Sequence, residues 1–341
     1  MKAVIMAGGE GTRLKAVTGD MPKPLVPLVG RPMLEHIILL LKKNGFTDIC
    51  AALRYHAEDI IERFGDGSTL GVHLSYRVEG EALGTAGSVK NCADFYGDED
   101  FLVISGDAAC DMNLAELMAA HKKARAAATI ALSRTSEPLS YGLAVTDSDG
   151  WVRFFIEKPQ WSRVVTDLVN TGIYILSPRA MELVPTGRSF DFGRELFPLL
   201  LSRGEKILGL ALDGYWCDVG SPLAYYRCCT DALEGRLKVT PGERFSAPPP
   251  EEDTEEREEA AESIDCRCRD RAALMGALSE CMLDMGADYS DGIRLTGRGY
   301  RLHIAPLSRS SAVRVAVSSE DTEFAHSLAM SAKELIDALA L

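Results

Sequence analysis

The sequence predicts an α/β fold with a mixed, mostly parallel sheet, followed by a small C-terminal α+β domain. Short β-type runs alternate with helical patterns over the first two thirds of the chain, which is typical of a sheet with crossover helices. The composition changes sharply after residue 240 before a globular pattern resumes. A chain of 341 residues is also too long for one ordinary core and fits two domains.

Hydrophobic periodicity predicts the individual elements. Residues 3–6 form a compact apolar run, and residues 101–104 are fully apolar, as in a strand buried on both faces. A helix over 32–44 is predicted to end at Gly45, because its apolar positions follow a helical spacing. The other predicted elements are strands at 48–53, 72–76, 128–132, 143–147, 152–157, 168–176, 207–212, 300–304 and 313–317, and helices at 57–64, 114–125, 192–203, 222–233, 270–285 and 322–340.

Charge is unevenly distributed along the chain. Of the net −13, residues 251–262 contribute eight acids and one base. Together with three prolines at 248–250, this composition predicts a flexible, extended linker over 237–264, between a domain at 1–236 and a domain at 265–341. The remaining surface is mildly acidic and lacks a basic run, so we expect neither a nucleic acid nor a membrane as partner. The sequence leaves formation of a homo-oligomer open.

The cysteines and the N-terminus predict a cytoplasmic protein. Nine Cys form an odd set without a disulfide framework, so reduced thiols are expected. The apolar run at the N-terminus is too short for a signal peptide, and no apolar run approaches the length of a membrane span.

A glycine-rich loop follows the first predicted strand. Gly8, Gly9 and Gly11 allow the backbone to approach phosphate oxygens closely, Thr12 adds a hydroxyl, and Arg13 adds a fork of donors. The loop is not a Walker A motif, because no Gly-Lys-Ser/Thr follows. It is not a dinucleotide fingerprint either, because the third glycine position is a leucine.

Lys23 strengthens the phosphate-binding interpretation of this loop. It lies between Pro22 and Pro24, ten residues after Arg13. Because proline restricts the backbone, the lysine side chain loses little entropy when it is held at one place. The glycine loop and Lys23 together predict a site for a phosphate-bearing ligand.

These residues resemble the signature of the sugar-phosphate nucleotidyltransferases, in which a strand precedes G-G-x-G-T-R-L and then P-K-P. The resemblance covers residues 1–236, and within the family it is strongest to mannose-1-phosphate guanylyltransferases, through 79–87 and 214–218. One departure is Lys15-Ala16-Val17, where the family usually has R-P-L. The further matching motifs are Leu83-Gly84-Thr85-Ala86-Gly87, Ser105-Gly106-Asp107, Tyr141-Gly142, Glu157-Lys158-Pro159, Asn170-Thr171-Gly172 and Asp218-Val219-Gly220-Ser221.

The resemblance implies a role for each matching residue and a Rossmann-like, three-layer α/β/α fold. It implies Mg²⁺ held by Asp107 and Asp218, and Asp107 also follows an apolar strand, where open α/β sheets bind ligands. The implied catalytic residues are Arg13, Lys23, Asp107, Lys158 and Asp218. The implied nucleotide-binding residues are Ala7, Gly8, Gly9, Gly11, Thr12, Leu83, Gly84 and Thr85. The implied sugar-phosphate-binding residues are Gly142, Glu157, Lys158, Asn170 and Gly172.

The implied reaction joins a sugar 1-phosphate, mannose 1-phosphate in the first place, to GTP with release of pyrophosphate. The sugar phosphate is already an anion, so the attack on the α-phosphorus needs positioning and charge neutralisation rather than a general base. Alternatives are a heptose 1-phosphate with GTP, glucose 1-phosphate with UTP or dTTP, or a non-catalytic subunit that binds a nucleotide sugar.

The C-terminal residues 266–341 resemble the last domain of phosphohexomutases such as phosphomannomutase. The likeness lies in a strand-loop-strand unit followed by the final helix. The mutase loop reads R-P-S-G-T-E-P, whereas residues 305–311 here read A-P-L-S-R-S-S and lack its leading Arg, Gly and Thr. Mutase activity is therefore not expected, and Arg309 with three serines is left as a candidate anion site.

Overall fold

The structure is a computed structural model that describes residues 1–9, 11, 14, 21–135, 138–160, 164–240, 262–282, 287–288, 292–297, 300–307, 312–319 and 321–339. The chain divides into two compact units. The first unit comprises Met1–Ser133, Thr146–Phe154 and Asn170–Pro250, and the second comprises Arg134–Val145, Phe155–Val169 and Glu251–Leu341. Residues 308–311 of the stretch 305–311 that was compared with the mutase loop, and residues 241–261 of the predicted linker, lie outside the described residues.

The secondary structure alternates between strands and helices, as predicted. The strands are β1 (Lys2–Met6), β2 (Pro27–Leu28), β3 (Arg31–Pro32), β4 (Asp48–Leu53), β5 (His73–Val78), β6 (Phe101–Ser105), β7 (Ala108–Cys110), β8 (Ala128–Arg134), β9 (Gly142–Thr146), β10 (Val152–Glu157), β11 (Leu168–Leu176), β12 (Ile207–Ala211), β13 (Trp216–Asp218), β14 (Glu262–Arg267), β15 (Ile293–Gly297), β16 (Tyr300–Pro306) and β17 (Ala312–Ser319). The α-helices are α1 (Met33–Lys43), α2 (Ala57–Phe64), α3 (Gly84–Lys90), α4 (Ala93–Tyr96), α5 (Leu114–Ala124), α6 (Pro178–Met181), α7 (Phe197–Ser202), α8 (Pro222–Leu233), α9 (Arg271–Cys281) and α10 (Thr322–Leu339).

The sheet of the first unit has the order β11-β6-β1-β4-β5. β1 is parallel to both β4 and β6, β4 is parallel to β5, and β11 is antiparallel to β6. β8 lies beside β11 and is parallel to β12. The predicted fold class, an α/β fold with a mixed, mostly parallel sheet, is confirmed.

Helices cover both faces of this sheet, because its strands are apolar on both sides. Ala3 and Ile5 of β1 belong to one buried cluster with residues of α1, α2 and α5. On the other face, the Tyr96 ring of α4 stacks on Phe101 with centroids 4.0 Å apart, and Tyr174 of β11 meets Phe197 of α7. The unit therefore has the expected three layers.

The predicted helix at 192–203 consists of two different pieces. A five-residue π-helix, Phe192–Leu196, precedes α7. Pro198 has no N–H to donate to the preceding turn, so a regular α-helical ladder cannot run through this point. The side chain of Asp191 caps the π-helix by accepting the N–H groups of Gly193 and Arg194 at 2.9 and 3.0 Å.

The second unit contains a four-stranded antiparallel sheet in the order β14-β17-β16-β15. The sequence analysis predicts β16 and β17 and misses β14 and β15, although β15 alternates apolar and polar residues in the same way as β16. α10 packs on β14 and β17. No helix in the described part of the chain is both long and apolar enough to cross a bilayer.

Candidate active site

The glycine loop continues directly from β1. Ala7 is buried, and its N–H donates to the carbonyl of Ala52 at 2.9 Å. A Cβ added at Gly8 would lie 3.4 Å from Cβ of Arg54, whereas one at Gly9 would meet nothing within 4 Å. The backbone at Gly9 therefore borders open space that a ligand can enter. Two other predicted residues of this loop, Thr12 and Arg13, lie outside the described residues.

Gly11 packs directly against Lys23. Its φ of +61° is in the left-handed region, and an added Cβ would lie 2.9 Å from Cβ of Lys23. Any larger residue would therefore be strained and would displace the lysine. Lys23 begins a short 3₁₀ turn, Lys23–Leu25, directly after Pro22. Gly11 of the loop and Lys23 of the proline segment are thus in direct contact.

The Lys23 ammonium lies between two distant carboxylates. Its Nζ is 2.9 Å from Oδ2 of Asp107 and 3.6 Å from Oδ1 of Asp218. The lysine side chain is only 7% exposed, whereas those of Asp107 and Asp218 are 42% and 30% exposed. The structure therefore brings three of the five predicted catalytic residues together, with the two carboxylates open to a ligand.

Strand pairing accounts for the approach of Asp218 to Asp107. β13 is antiparallel to β7, with Asp218 opposite Ala108, the residue that follows Asp107. The hydroxyl of Ser105 donates to Oδ1 of Asp107 at 2.5 Å. Burial acts to raise the pKa of Asp107, but the Lys23 ammonium and these hydrogen bonds outweigh it and hold the pKa below its usual value.

A small pocket opens at this point. It is lined by residues from the glycine loop, the proline segment and the end of β6, namely Met6, Ala7, Gly9, Gly11, Lys23, Pro24, Gly106 and Asp107. Gly106 is needed for the close approach of the two strand ends, since an added Cβ would lie 2.8 Å from Cβ of Ala7. The predicted phosphate-binding loop and one predicted metal ligand therefore share one cavity.

The two carboxylates suit Mg²⁺, which prefers oxygen ligands and retains several waters. No cluster of three or more His, Cys, Asp or Glu side chains at metal-binding spacing occurs in the part of the chain that the structure describes. An ion held by Asp107 and Asp218 would thus have two protein ligands and further positions for phosphate oxygens and water. The donor set fits the metal that the resemblance implies.

Asn170 and Gly172 lie within β11, the strand that is antiparallel to β6. Gly172 has a φ of +76°, and an added Cβ would lie 3.2 Å from Cβ of Ser105. The Asn170 carboxamide accepts the N–H of Gly172 at 3.0 Å and donates to the hydroxyl of Tyr174 at 2.9 Å. These predicted sugar-side residues therefore adjoin the serine that orients Asp107.

Leu83, Gly84 and Thr85 are tied to the segment that precedes the π-helix. The N–H of Phe190 donates to the carbonyl of Leu83 at 2.9 Å. Gly84 has a φ of +71°, and an added Cβ would lie 2.7 Å from the carbonyl oxygen of Phe190. The Thr85 hydroxyl is engaged with Asp191. These predicted nucleotide-binding residues are thus held in place by Phe190 and Asp191.

Glu79 is a candidate that the sequence analysis does not include among the site residues. It follows β5, is 6% exposed, and its N–H donates to the carbonyl of Leu53 at 2.8 Å. Its Oε1 has no hydrogen-bond partner among the described residues. Burial raises the pKa of Glu79, and hydrogen bonds from Ser88 and Leu83 and the charge of Arg54 oppose this only in part. The sequence signal that could have identified Glu79 is an acidic residue directly after a predicted strand, in the segment 79–87 that also contains Gly84.

The remaining predicted residues lie in the second unit. Gly142 is buried, and an added Cβ would lie 2.7 Å from Oε2 of Glu157 and 2.8 Å from the Phe155 ring. Lys158 has a left-handed φ of +43°, and its N–H donates to the carbonyl of Tyr141 at 3.1 Å. A non-glycine residue seldom takes this conformation, and such strain is concentrated at functional sites. Gly142, Glu157 and Lys158 therefore form one local group.

Comparison with known proteins agrees with this geometry. The family model described as nucleotidyl transferase matches residues 2–235. The chain belongs to this family. The match includes the glycine loop, Lys23, Asp107 and Asp218, and it ends shortly after α8.

Several curated nucleotidyl transferases are similar in sequence. The chain is 35% identical over 251 residues to the UTP–glucose-1-phosphate uridylyltransferase of Synechocystis sp., covering 70% of this chain and 65% of that protein. It is 34% identical to the mannose-1-phosphate guanylyltransferase of Mycobacterium tuberculosis, covering 68% and 65%. It is 38% identical to the mannose-1-phosphate guanyltransferase of Yarrowia lipolytica, covering 65% and 61%. The chain thus spans 61–65% of the length of these relatives.

Two solved structures share the fold. HddC from Yersinia pseudotuberculosis, complexed with GMP-PN, is 30% identical with a TM-score of 0.59, and the match covers 68% of this chain and 99% of that one. A putative glucose-1-phosphate thymidylyltransferase from Bacillus anthracis, in complex with a sucrose, is 28% identical with a TM-score of 0.63, covering 71% and 97%. Each neighbour matches over nearly its whole length, which agrees with a Rossmann-like fold.

Proposed function

We propose that this chain is an active sugar-1-phosphate nucleotidyltransferase that joins mannose 1-phosphate to GTP, giving GDP-mannose and pyrophosphate. The observation that carries the proposal is the Lys23 ammonium held between the carboxylates of Asp107 and Asp218 beside the glycine loop. A nucleotidyl transfer between two phosphorylated substrates requires positive charge near the phosphates. The cation of Lys23, and two acids that can bind a metal ion, lie together at this opening.

In the proposed reaction, an oxygen of the sugar 1-phosphate attacks the α-phosphorus of the triphosphate in line. The bond from the α-phosphorus to the bridging oxygen breaks, and pyrophosphate leaves. The glycine loop binds the triphosphate through backbone N–H groups, and Lys23 neutralises developing charge. Mg²⁺, when bound by Asp107 and Asp218, supplies further charge neutralisation on the phosphates. Arg13 and Lys158 are proposed to neutralise the triphosphate and the sugar phosphate.

Glu79 supports GTP as the nucleotide. A carboxylate is acceptor-only, and the guanine edge presents two adjacent donors, N1–H and the N2 amino group. Uracil and thymine present one N–H between two carbonyl oxygens. A carboxylate repels these oxygens, so it favours guanine over uracil and thymine. Glu79 has a buried Oε1 without a partner among the described residues, and its N–H is bonded to the strand end that Gly8 also contacts. HddC, complexed with GMP-PN, is one of the structural neighbours.

Glucose 1-phosphate with UTP is the second candidate, because a uridylyltransferase is among the relatives at 35% identity. A heptose 1-phosphate with GTP or glucose 1-phosphate with dTTP remains an alternative of the same chemistry. A non-catalytic nucleotide-sugar-binding subunit is disfavoured, because Lys23, Asp107 and Asp218 are all present and meet.

A single assay tests these proposals. The purified full-length chain is incubated with Mg²⁺, each sugar 1-phosphate and each nucleoside triphosphate, and pyrophosphate release is measured. We expect the fastest release with mannose 1-phosphate and GTP. Release with another pair alone would replace the substrate assignment, and no release with any pair would overturn the enzyme proposal. Asp107→Asn and Asp218→Asn are expected to abolish release without loss of the fold, as checked by circular dichroism.

A further inference from the structure

The two carboxylates of the candidate site adjoin one end of the ladder between β7 and β13. Asp107 directly precedes β7, and Asp218 is the last residue of β13. At the other end of the ladder, the N–H of Asp111 donates to the carbonyl of Tyr215 at 3.1 Å. This two-stranded ladder has only three residue pairs, so it needs support from the rest of the unit.

Asp111 joins the ladder to a later part of the chain. Its Oδ1 accepts the N–H of Tyr215 at 2.7 Å, and its Oδ2 accepts the N–H of Lys238 at 2.8 Å. Gly214 permits this arrangement, because its φ is +125° and an added Cβ would lie 2.8 Å from Oδ1 of Asp111. The family model matches the chain only as far as residue 235, so Lys238 lies beyond the match.

Asp231, in the last turn of α8, provides a second connection. The Tyr215 hydroxyl donates to Oδ2 of Asp231 at 2.7 Å, and Asp231 is buried. The carbonyl of Asp231 accepts the N–H groups of Arg236 and Leu237 at 2.8 and 3.1 Å, and the Arg236 guanidinium binds its Oδ1. These bonds turn the chain after α8 and direct residues 236–239 toward the ladder.

Leu237 anchors this segment in the core. It is 1% exposed and belongs to a buried cluster with Ala109 of β7 and Val219, the residue after Asp218. Leu233, at the end of α8, is 59% exposed by contrast. Residues 236–239, which we call the strap, are thus held by backbone, carboxylate and apolar contacts.

We propose that the strap and Asp111 position the β7–β13 ladder so that Asp218 lies beside Lys23 and Asp107. This inference rests on the proposed nucleotidyl transfer. Asp111 and Leu237 act through the ladder, and they are therefore positioning residues. Nζ of Lys23 is 3.6 Å from Oδ1 of Asp218, so a displacement of the ladder by about 1 Å is large on the scale of the site.

Leu237→Ala in the full-length chain tests the strap, and Leu233→Ala is the matched control. At saturating substrates, Leu237→Ala should lower kcat roughly tenfold and raise the Mg²⁺ concentration that gives half-maximal pyrophosphate release. Leu233→Ala should match the unmodified chain in both quantities. A loss of folded protein alone lowers the active fraction without shifting the half-maximal Mg²⁺ concentration. An unshifted value in Leu237→Ala would therefore overturn the proposal.

Amide hydrogen exchange provides a readout that does not need activity. Peptides from β7 and β13 should exchange roughly tenfold faster in Leu237→Ala than in Leu233→Ala, over a period in which β4 stays protected in both. Equal exchange of β7 and β13 in the two variants would overturn the proposal. If β4 loses protection in Leu237→Ala, Tyr215→Phe repeats the comparison, because it removes only the hydroxyl bond to Asp231.

The two measurements separate this inference from the proposed function. If the unmodified chain releases no pyrophosphate with any substrate pair, the proposed function fails, and the exchange of β7 and β13 still tests whether the strap holds the ladder. If the unmodified chain is active and Leu237→Ala retains its kcat and its Mg²⁺ dependence, the proposed function stands and the role of the strap is refuted.

Discussion

The hydroxyl of Thr85 donates a 2.8 Å hydrogen bond to Oδ2 of Asp191 and accepts a 2.9 Å bond from the N–H of Phe192. This pair joins the start of α3 to the start of the π-helix, 106 residues further along the chain. The N–H groups of Ala86 and Gly87 also donate to the carbonyl of Phe190. Thr85, implied by resemblance to bind nucleotide, therefore has its hydroxyl committed to holding this segment in place.

Thr85→Val is expected to weaken nucleotide binding more than it slows the chemical step. The substitution preserves shape but removes both hydrogen bonds, each worth about 0.5–1.5 kcal/mol, so KM for the triphosphate should rise roughly fivefold or more. Steady-state kinetics with varied triphosphate measures this. Thr85→Ser retains the hydroxyl and should restore KM; an unchanged KM in Thr85→Val would contradict a positioning role.

Replacing Lys23 should lower kcat. Lys23→Met keeps the apolar stem against Gly11 but removes the ammonium between Asp107 and Asp218, so kcat should fall roughly 10²–10³-fold. The matched control is Lys123→Met, at an exposed position on α5, which should leave kcat unchanged. Pyrophosphate release is the readout. If KM increased while kcat stayed normal, Lys23 would stabilise the bound substrate and the transition state equally, and it would have no specific role in the chemical step.

Glu79→Gln should change base selectivity. The amide retains one acceptor but adds a donor toward the guanine edge, so kcat/KM with GTP should drop about tenfold or more. The ratio of kcat/KM with GTP to kcat/KM with UTP should decrease in the same variant. Glu81→Gln, two residues away and exposed, is the control and should keep the wild-type ratio. An unaltered ratio in Glu79→Gln would remove Glu79 from base recognition.

Stability should decrease in mild acid because of two buried histidines. Burial lowers the pKa of His36 and of His121 below 6.5, although Leu28 and Asp100 respectively oppose it. Both groups therefore favour the neutral form in the folded state. Their contribution is fully present above about pH 6.5, and it is lost as the pH falls from there through the folded-state pKa values.

Thermal unfolding at a series of pH values checks this expectation. The midpoint should fall between about pH 7.5 and 5.5, where the unfolded chain binds these protons more readily. His121→Gln should reduce that fall, at some cost in stability at neutral pH, since the Nδ1 contact with Thr129 at 2.8 Å is altered. A midpoint that is constant over this range would contradict the assignment.

Local sequence patterns predict the main elements well. β4, α2 and α8 have the predicted bounds of 48–53, 57–64 and 222–233. Ser221 and Pro222 illustrate the reason, since a capping hydroxyl and a proline at the first turn specify the start of α8 from neighbouring residues alone. By contrast, β14 and β15 are short segments that the sequence analysis misses, and in the structure they pair with β17 and β16 respectively.

The sequence by itself determined the glycine loop after β1, the lysine between two prolines and an acid after a buried strand, because these depend on backbone preferences of adjacent residues. Only the tertiary structure decided that Asp218 meets Lys23, since this requires β13 to pair with β7 in one register. The burial of Glu79 depends in the same way on strand pairing, because Glu79 directly follows β5, which pairs with β4. Residues far apart in a sequence carry no mutual spacing signal until such pairing brings them together.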